Sequence, residues 1–176
     1  MKKLLTKETY LDKVKILDDK YWNNTLEIRW NYMLPVLEEL KLLNPQTSIE
    51  LGTAGISLMN FSDSMDKYEK YIDNNNHKYL IDAKITPWNI PDKKYDVFVA
   101  LQVLEHLSPN QIEIFNEIKR ISKSAIITLP YMWNCEKNDC HYMIDYDIIN
   151  KWTQNTKPYK TEIINNRIML CYNFNK

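Results

Sequence analysis

Glycine is nearly absent from this chain, which has only two glycines among 176 residues, so collagen-like and flexible-linker compositions are excluded. Long apolar runs are missing as well, since no run approaches the length of about 18 residues that a membrane-spanning helix needs. Thr6, Lys7 and Glu8 interrupt the short apolar start, so no signal peptide is expected. Neither sign of charge is in excess, because Lys plus Arg and Asp plus Glu both number 23. A neutral chain disfavours a nucleic-acid or membrane-surface partner.

Cysteine and histidine are scarce, with three residues of each. Cys135, Cys140 and Cys171 form an odd set in a chain without an export signal, which predicts free thiols in a reducing cytoplasm. Cys135, Cys140 and His141 stand close together, but the spacing C-x4-C-H fits no common zinc signature. A further ligand would have to come from far away along the chain. We therefore predict a cytoplasmic protein with no metal site.

Alternating helical and strand-like segments predict one α/β domain, in which 1–44 form N-terminal helices and 45–176 form the core. Pro35 is expected to kink the N-terminal helical run or to begin a new helix. Strands are expected at 48–52, 60–66, 79–83, 95–101, 125–129, 161–165 and 167–174. Further helices are expected at 145–153 and after Ser108, which would be the N-cap of a capping box with Gln111. These segments predict a mostly parallel sheet of about six or seven strands with a C-terminal antiparallel strand.

Ligands of an open α/β sheet bind beyond the carboxyl ends of its strands. Four of the predicted strand ends carry glycine or polar residues: 50–55, Asp63 or Asp66, Asp82 with Ala83, and 101–107. Glycine lets a backbone approach a ligand closely. One acid at a neighbouring strand end can accept both hydroxyls of a ribose, and a second acid can accept from an adenine amino group. Each residue alone is typical of a turn or a cap, but their order along the chain favours a nucleoside site.

One long segment carries a family resemblance. Residues 87–107, P-W-N-I-P-D-K-K-Y-D-V-F-V-A-L-Q-V-L-E-H-L, resemble the class I S-adenosylmethionine-dependent methyltransferases, as do S-I-E-L-G-T-A-G at 48–55 and D-A at 82–83. The segment I-K-R-I-S-K-S-A-I-I-T-L-P at 118–130 continues the resemblance, which covers about 45–175. The resemblance implies a Rossmann-like methyltransferase fold. It also implies S-adenosylmethionine as cofactor, S-adenosylhomocysteine as product, and methyl transfer to a small-molecule acceptor.

The resemblance also implies roles for individual residues. Cofactor contacts are expected from Glu50, Gly52, Thr53 and Ala54 along the methionine, Asp66 at the ribose, Asp82 and Ala83 at the adenine, and Leu101, Gln102 and His106 near the methyl group. Tyr131 and Trp133 follow the fifth strand and are expected to bind the acceptor. A hydroxyl or protonated amine must lose a proton, and histidine suits that task. His141 is the first candidate for the base and His106 the second, with Asp139 or Asp145 to orient His141.

The sequence departs from the family pattern in two places. The family alternates glycines at every second position after the first strand, where this chain has Gly52, Ala54 and Ile56. Gly52 and Asp66 are also only 14 positions apart, so the intervening helix is expected to be lost or reduced to a turn. The ribose partner therefore stays open between Asp63 and Asp66. The exposed sheet face would be covered by the N-terminal helices or by a second copy in a homodimer.

Two other functions are weighed against methyl transfer. A non-catalytic binding or regulatory module with a degenerate cofactor site would explain the altered glycine loop. A dinucleotide oxidoreductase needs G-x-G-x-x-G after a strand, which Gly52 and Gly55 do not supply. The acceptor stays open among a sugar, a phosphate ester and another small metabolite with a hydroxyl or an amine.

Overall fold

A computed structural model describes residues 2–17, 19–72 and 76–175 of the chain. The helices are α1 (Lys7–Leu17), α2 (Lys20–Leu43), α3 (Gln111–Ile121) and α4 (Tyr146–Trp152). The strands are β1 (Ser48–Leu51), β2 (Asp63–Asp66), β3 (Lys78–Leu80), β4 (Val97–Leu101), β5 (Ser124–Pro130), β6 (Lys160–Ile164) and β7 (Arg167–Asn173). Short 3-10 turns span Glu69–Tyr71 and Leu104–Leu107.

All seven strands form one sheet in the order β3-β2-β1-β4-β5-β7-β6. The five strands from β3 to β5 are parallel to their neighbours, whereas β7 is antiparallel to both β5 and β6. Asn165 turns the β6–β7 hairpin with φ 56°, a left-handed conformation that asparagine tolerates. The predicted α/β class, the mostly parallel sheet and the antiparallel C-terminal strand are confirmed.

The two faces of the sheet carry separate hydrophobic cores, because successive side chains of a strand point to opposite faces. Phe98, Ala100 and Ile127 pack with the apolar side of α3 and with α4. Val97, Val99 and Ile126 pack instead with α1 and α2. The N-terminal helices therefore cover the face that the missing helix between β1 and β2 would leave open. No helix is assigned between 52 and 62, as the short spacing predicted.

Two helix predictions differ from the structure. The helix α3 begins at Gln111 with Asn110 as its N-cap, and no side chain caps it. The predicted capping box at Ser108 is therefore wrong: Ser108 instead ends the 3-10 turn Leu104–Leu107, which the sequence pattern did not reveal. Pro35 begins no new helix, since α2 runs through it from Lys20 to Leu43.

No helix within the described ranges combines the length and the apolar character needed to cross a bilayer.

Candidate functional site

The carboxyl ends of β1, β2 and β4 meet at one edge of the sheet, above which two adjoining cavities lie. The Asp66 cavity has a volume of about 320 Å³ and is lined by residues that include Asp66, Asp82, Ala83 and Val103. The Arg167 cavity has a volume of about 290 Å³, and residues that include Ala54, Gln102, Trp133, His141 and Arg167 line it. Gly52 and His106 line both cavities, so the two form one continuous cleft.

Gly52 lies at the junction of the two cavities directly after β1. Its φ is +69°, a region that residues with a side chain rarely adopt. A Cβ at this position would also lie 2.7 Å from Cγ2 of Val103. Both facts require glycine here, and the backbone at this point therefore stays open toward the cleft.

The loop after Gly52 turns its later residues away from the cleft. Ala54 lines the Arg167 cavity with φ 48°, whereas Ile56 is buried in the core formed with α1 and α2. The Thr53 hydroxyl donates to the carbonyl of Tyr71 at 2.8 Å and helps to fix this path. Ile56 therefore has no need to imitate a glycine of the family pattern.

Glu50 is buried within β1 and fixes the shortened segment. Its two carboxylate oxygens accept hydrogen bonds from the backbone N–H groups of Leu58 and Met59 at 2.8 and 3.0 Å. These bonds satisfy backbone groups that have no helix to pair with. Glu50 therefore fixes the backbone of the segment that follows Gly52. Its predicted contact with the methionine of the cofactor stays a prediction.

Asp66 and Asp82 lie together in the Asp66 cavity. Burial raises the pKa of Asp66, and one of its oxygens accepts from the N–H of Tyr68 at 2.9 Å. The pKa of Asp82 is lowered by the N–H of Lys84 and by the Lys67 ammonium, whose nitrogen lies 3.2 Å from the carboxylate. Both groups thus offer carboxylate acceptors to a ligand with hydroxyl or amino donors.

Asp63 lies at the opposite end of β2, beyond reach of the cleft. Its carboxylate accepts from the Tyr95 hydroxyl at 2.6 Å and lies 3.5 Å from the Lys94 ammonium. The register of β2 therefore leaves Asp66 as the ribose candidate.

Ala83, which is predicted to face the adenine, lines the Asp66 cavity. Its carbonyl accepts a hydrogen bond from the indole N–H of Trp88 at 3.2 Å.

Leu101 ends β4 and Gln102 follows it, and both residues line the Arg167 cavity. Gln102 has φ 56°, a conformation that is costly for a residue with a side chain and that concentrates at functional sites. The strain is offset by two bonds to Thr128: the Gln102 N–H donates to its carbonyl at 2.9 Å and the side-chain amide to its hydroxyl at 3.2 Å.

The two candidate bases meet at the border of the cleft. The rings of His106 and His141 lie 4.9 Å apart between centroids, nearly perpendicular to each other. Nδ1 of His141 contacts the carboxylate of Asp139, while Asp145 caps α4 by accepting from the N–H of Ile148. Burial and the nearby His141 lower the pKa of His106. Asp139 is therefore the acid that orients His141.

Glu105 is an unusual neighbour of these histidines. Its side chain is fully buried, and neither carboxylate oxygen accepts a hydrogen bond from another described residue. Burial raises its pKa to about 8, with Arg167 opposing that effect. The residue lies in the segment 101–107 after β4, where sequence analysis assigned a role to His106 but none to Glu105.

The two predicted acceptor residues separate in the structure. Trp133 lines the Arg167 cavity, with its ring centroid 5.3 Å from that of His141. Tyr131 is not among the residues that line this cavity, because its ring packs edge to face on Tyr146 at 5.3 Å. The structure therefore brings Trp133 to the Arg167 cavity, whereas Tyr131 packs against the core.

Sequence analysis missed the residues that reach the Arg167 cavity from α2 and from β7. Arg29 and Tyr32 reach it from α2, and Arg167 reaches it from the start of β7. The Arg167 guanidinium lies 4.9 Å from the ring centroid of Tyr32 and 5.1 Å from that of Trp133. No sequence signal near the strand ends points to these distant residues, although Arg29 and Tyr32 share one side of α2 by their spacing.

The cleft fits the cofactor that the resemblance implies. Asp66 and Asp82 offer acceptors for ribose hydroxyls and an adenine amino group in the same cavity. Gly52 connects this cavity to the other by a backbone that carries no side chain. The arginines of the second cavity, Arg29 and Arg167, suit the carboxylate of a methionine moiety.

Comparisons with known proteins agree with this geometry. A family model described as a methyltransferase domain matches residues 46–125. No curated protein matches the chain. Among solved structures, the PH0226 protein of Pyrococcus horikoshii is 13% identical with a TM-score of 0.64, over 89% of this chain and 92% of that one. A SAM-dependent methyltransferase of Aquifex aeolicus is 15% identical with a TM-score of 0.61, over 91% and 96%.

A third solved structure, the N-methyltransferase NodS of Bradyrhizobium japonicum, is 11% identical with a TM-score of 0.62, over 86% of this chain and 98% of that one. At these identities the three structures show a shared fold. The matched family model runs from the residues just before β1 to the start of β5. It thus contains the strand ends that build the cleft, and over these residues the chain is similar to a methyltransferase domain.

Proposed function

We propose that the protein transfers the methyl group of S-adenosylmethionine to an oxygen or nitrogen of a small-molecule acceptor held in the Arg167 cavity. The observation that carries this proposal is the division of the cleft. Aspartates line one cavity and arginines line the other, and both cavities meet at Gly52 and His106. We further propose that 1–176 act as one domain.

The cofactor would lie across both cavities. Asp66 would accept the ribose hydroxyls, and Asp82 with the Ala83 backbone would face the adenine. Gly52, Thr53 and Ala54 would border the methionine from one side, and Leu101 and Gln102 from the other. When bound, the cofactor supplies a methyl group on a positively charged sulfur, a good leaving group.

The chain's own contribution to the reaction is mainly positional. Side chains around the junction hold the acceptor in line with the methyl group and exclude water, which removes an entropic part of the barrier. His141, whose Nδ1 contacts Asp139, would take the acceptor's proton through Nε2. His106, whose pKa is lowered by burial and by His141, is the second candidate.

The charge of the Arg167 cavity favours an anionic acceptor. Among its described lining residues, Arg29 and Arg167 are cationic and none is acidic. One arginine can serve the methionine carboxylate and the other a negatively charged group of the acceptor. A phosphate ester or an acidic sugar therefore suits the cavity better than a neutral metabolite. The zero net charge of the chain disfavours a nucleic-acid acceptor.

Calorimetric titration tests the cofactor half of the proposal. S-adenosylmethionine and S-adenosylhomocysteine are each titrated into the purified chain, with NAD as the control ligand. Binding of both adenosyl ligands at about micromolar affinity, without binding of NAD, supports the proposal. Failure of both adenosyl ligands to bind would contradict the proposal.

A panel of phosphate esters, acidic sugars and neutral amines tests the acceptor half. Formation of S-adenosylhomocysteine with an anionic acceptor, and none with its uncharged analogue, is the expected result. Tight cofactor binding with no turnover of any acceptor would favour the alternative function, a binding or regulatory module. A preference for uncharged acceptors would overturn the proposal that Arg29 or Arg167 binds a negatively charged group of the acceptor.

A further inference from the structure

Three metal-ligating side chains converge around His106, which lines both cavities. His106 comes from the 3-10 turn after β4, while Cys140 and His141 come from the loop after β5. One ligand atom from each lies within 4.8 Å of those of the other two. Sequence analysis predicted no metal site at Cys140 and His141, because a further ligand would have to come from far away along the chain. The fold supplies it in His106, which stands 34 residues before Cys140.

The distances within this cluster match those around a tetrahedral ion. Zn–S bonds of about 2.3 Å and Zn–N bonds of about 2.1 Å place neighbouring sulfur and nitrogen ligands about 3.6 Å apart. The Cys140 sulfur lies 3.3 Å from Nδ1 of His106, and 3.6 and 3.9 Å from Nδ1 and Nε2 of His141. These separations bracket the tetrahedral value, so the ligands need only small shifts to close around one ion.

Each histidine also has a carboxylate beside its other ring nitrogen. Asp139 contacts Nδ1 of His141, which leaves Nε2 to face the cluster. Glu105 lies 3.9 Å from Nε2 of His106, longer than a hydrogen bond, while Nδ1 of His106 faces Cys140. Carboxylates in this position are typical partners of metal-bound histidines, since they fix the tautomer and the orientation of the ring. The buried Glu105, which no described residue bonds, acquires a role in this arrangement.

The loop that carries two of the ligands is held in place by its own backbone. The Met132 N–H donates to Ile144 at 2.9 Å, and the Met143 N–H donates to Trp133 at 2.8 Å. The Asp139 carboxylate also accepts from the backbone N–H of His141 at 2.8 Å. The ligands are therefore ordered before any ion binds, which reduces the entropic cost of binding.

We propose that His106, Cys140 and His141 bind one Zn²⁺ ion through Nδ1, Sγ and Nε2. A thiolate with two imidazoles is a donor set that suits zinc. The protein supplies three ligands, and both histidines line the Arg167 cavity. The fourth position is therefore open toward the cavity, the arrangement of a catalytic rather than a structural zinc.

This inference changes how the acceptor is activated, and in that respect it rests on the proposed function. A lone pair that binds zinc cannot also take a proton, so His141 would be a ligand and not the base. An acceptor hydroxyl at the fourth position would lose its proton more readily, and that proton would pass to solvent water. Metal binding itself requires neither cofactor nor acceptor.

Cobalt substitution and two cysteine variants test the site. The chain is stripped of metal with a chelator and divided into two portions. One portion is titrated with Zn²⁺ and the other with Co²⁺. Bound metal is measured in both, and the near-ultraviolet sulfur-to-cobalt charge-transfer absorption is measured in the second. We expect about one ion per chain and a charge-transfer band. Cys140→Ser should abolish the band. Cys135→Ser is the matched control and should leave the band unchanged, because the Cys135 sulfur lies 3.9 Å from the Trp133 carbonyl and is not part of the cluster.

A positioning variant extends the test beyond the ligands. Asp139→Asn should weaken zinc binding by about 10–100-fold while the cobalt band persists. Circular dichroism checks that each variant folds, which is expected because Cys140 is exposed. The proposal would be overturned if the parent chain bound less than one ion and showed no charge-transfer band. It would also be overturned if Cys135→Ser and Cys140→Ser lost the band to the same extent. S-adenosylmethionine is also titrated into the metal-free chain in the presence of a chelator. Cofactor binding without metal would show that the zinc proposal has failed while the cofactor half of the proposed function stands.

Discussion

At the scale of single residues, the cleft separates carboxylates that look equivalent along the chain. Asp63 and Asp66 are three positions apart, at the two ends of β2. Asp63 pairs with Ile49 in the strand register and bonds Tyr95, whereas Asp66 extends into the cleft. The sequence narrows the predicted ribose partner to these two, and the strand register determines which of them faces the cleft.

We predict that Asp66→Ala and Asp82→Ala each weaken binding of S-adenosylmethionine by about 1–3 kcal/mol, the cost of losing a charged hydrogen-bond partner. Calorimetric titration measures the change. Asp63→Ala is the control and should leave cofactor affinity unchanged, because its carboxylate bonds Tyr95 at the other end of β2. Equal losses in all three variants would show that the cleft was disturbed as a whole.

The two cleft aspartates should also differ in their response to acid. Burial raises the pKa of Asp66, while the Lys84 N–H and Lys67 lower that of Asp82. As the pH falls, Asp66 takes up its proton first and loses its ability to accept from two hydroxyls. We expect cofactor affinity to fall with pH in the parent chain and in Asp82→Ala, and much less in Asp66→Ala. Titration between neutral and mildly acidic pH measures these slopes.

At the scale of elements, the segment between β1 and β2 shows how a missing helix is compensated. The short spacing predicted the loss of the helix, but it did not reveal what replaces its hydrogen bonds. Glu50 accepts from two N–H groups of the segment, and Leu5 donates to the carbonyl of Leu58 at 2.7 Å. Such long-range partners leave no periodic signal in a sequence.

The starts of three strands are joined by Asp96, just before β4. Its carboxylate accepts from the N–H groups of Gln46 and Thr47 at 2.8 and 3.0 Å. The Lys123 ammonium lies 2.8 Å away, beside the start of β5. Burial alone would raise the pKa of Asp96, but these donors outweigh it and lower the pKa to about 2.

This depressed pKa fixes the sign of a stability prediction. The stabilisation is complete above the ordinary aspartate pKa of 3.8 and is lost as the pH falls toward about 2. We expect Asp96→Asn to lower the free energy of unfolding by about 1–2 kcal/mol at neutral pH, after screening by solvent. Urea unfolding at several pH values should show this difference shrinking in acid.

The control for Asp96 is another paired aspartate. Asp92 lies 2.7 Å from Arg120, but its side chain is 76% exposed, so Asp92→Asn should cost less than about 1 kcal/mol. A loss in Asp96→Asn that stays constant down to pH 2 would contradict the electrostatic explanation. Neither variant should change cofactor affinity, because neither residue lines the cleft.

At the scale of the whole molecule, the N-terminal helices belong both to the core and to the cleft. They bury residues such as Val14, Val36 and Leu40 against one face of the sheet, and Arg29 and Tyr32 of α2 line the Arg167 cavity. We therefore expect 1–44 to fold and unfold together with 45–176, as one cooperative unit.

Two leucines of α2 provide a matched test of this unit. Leu40 is 1% exposed and Leu42 is 77% exposed. We predict that Leu40→Ala lowers the stability of the whole chain by about 2–5 kcal/mol, while Leu42→Ala changes it by less than about 0.5 kcal/mol. Fluorescence and circular dichroism should report one shared transition. A separate early transition confined to the helices would show that they are an independent appendage.

The sequence by itself determined the fold class and the position of the cleft, because strand periodicity and the order of strand ends are local properties of the chain. The segments 48–55, 82–83 and 87–107 carried the family resemblance for the same reason. Only the tertiary structure decided which aspartate faces the cleft, which helices cover the open face, and that His106 meets Cys140 and His141. Those features depend on strand register and on contacts between residues far apart in the chain, which a single sequence does not encode locally.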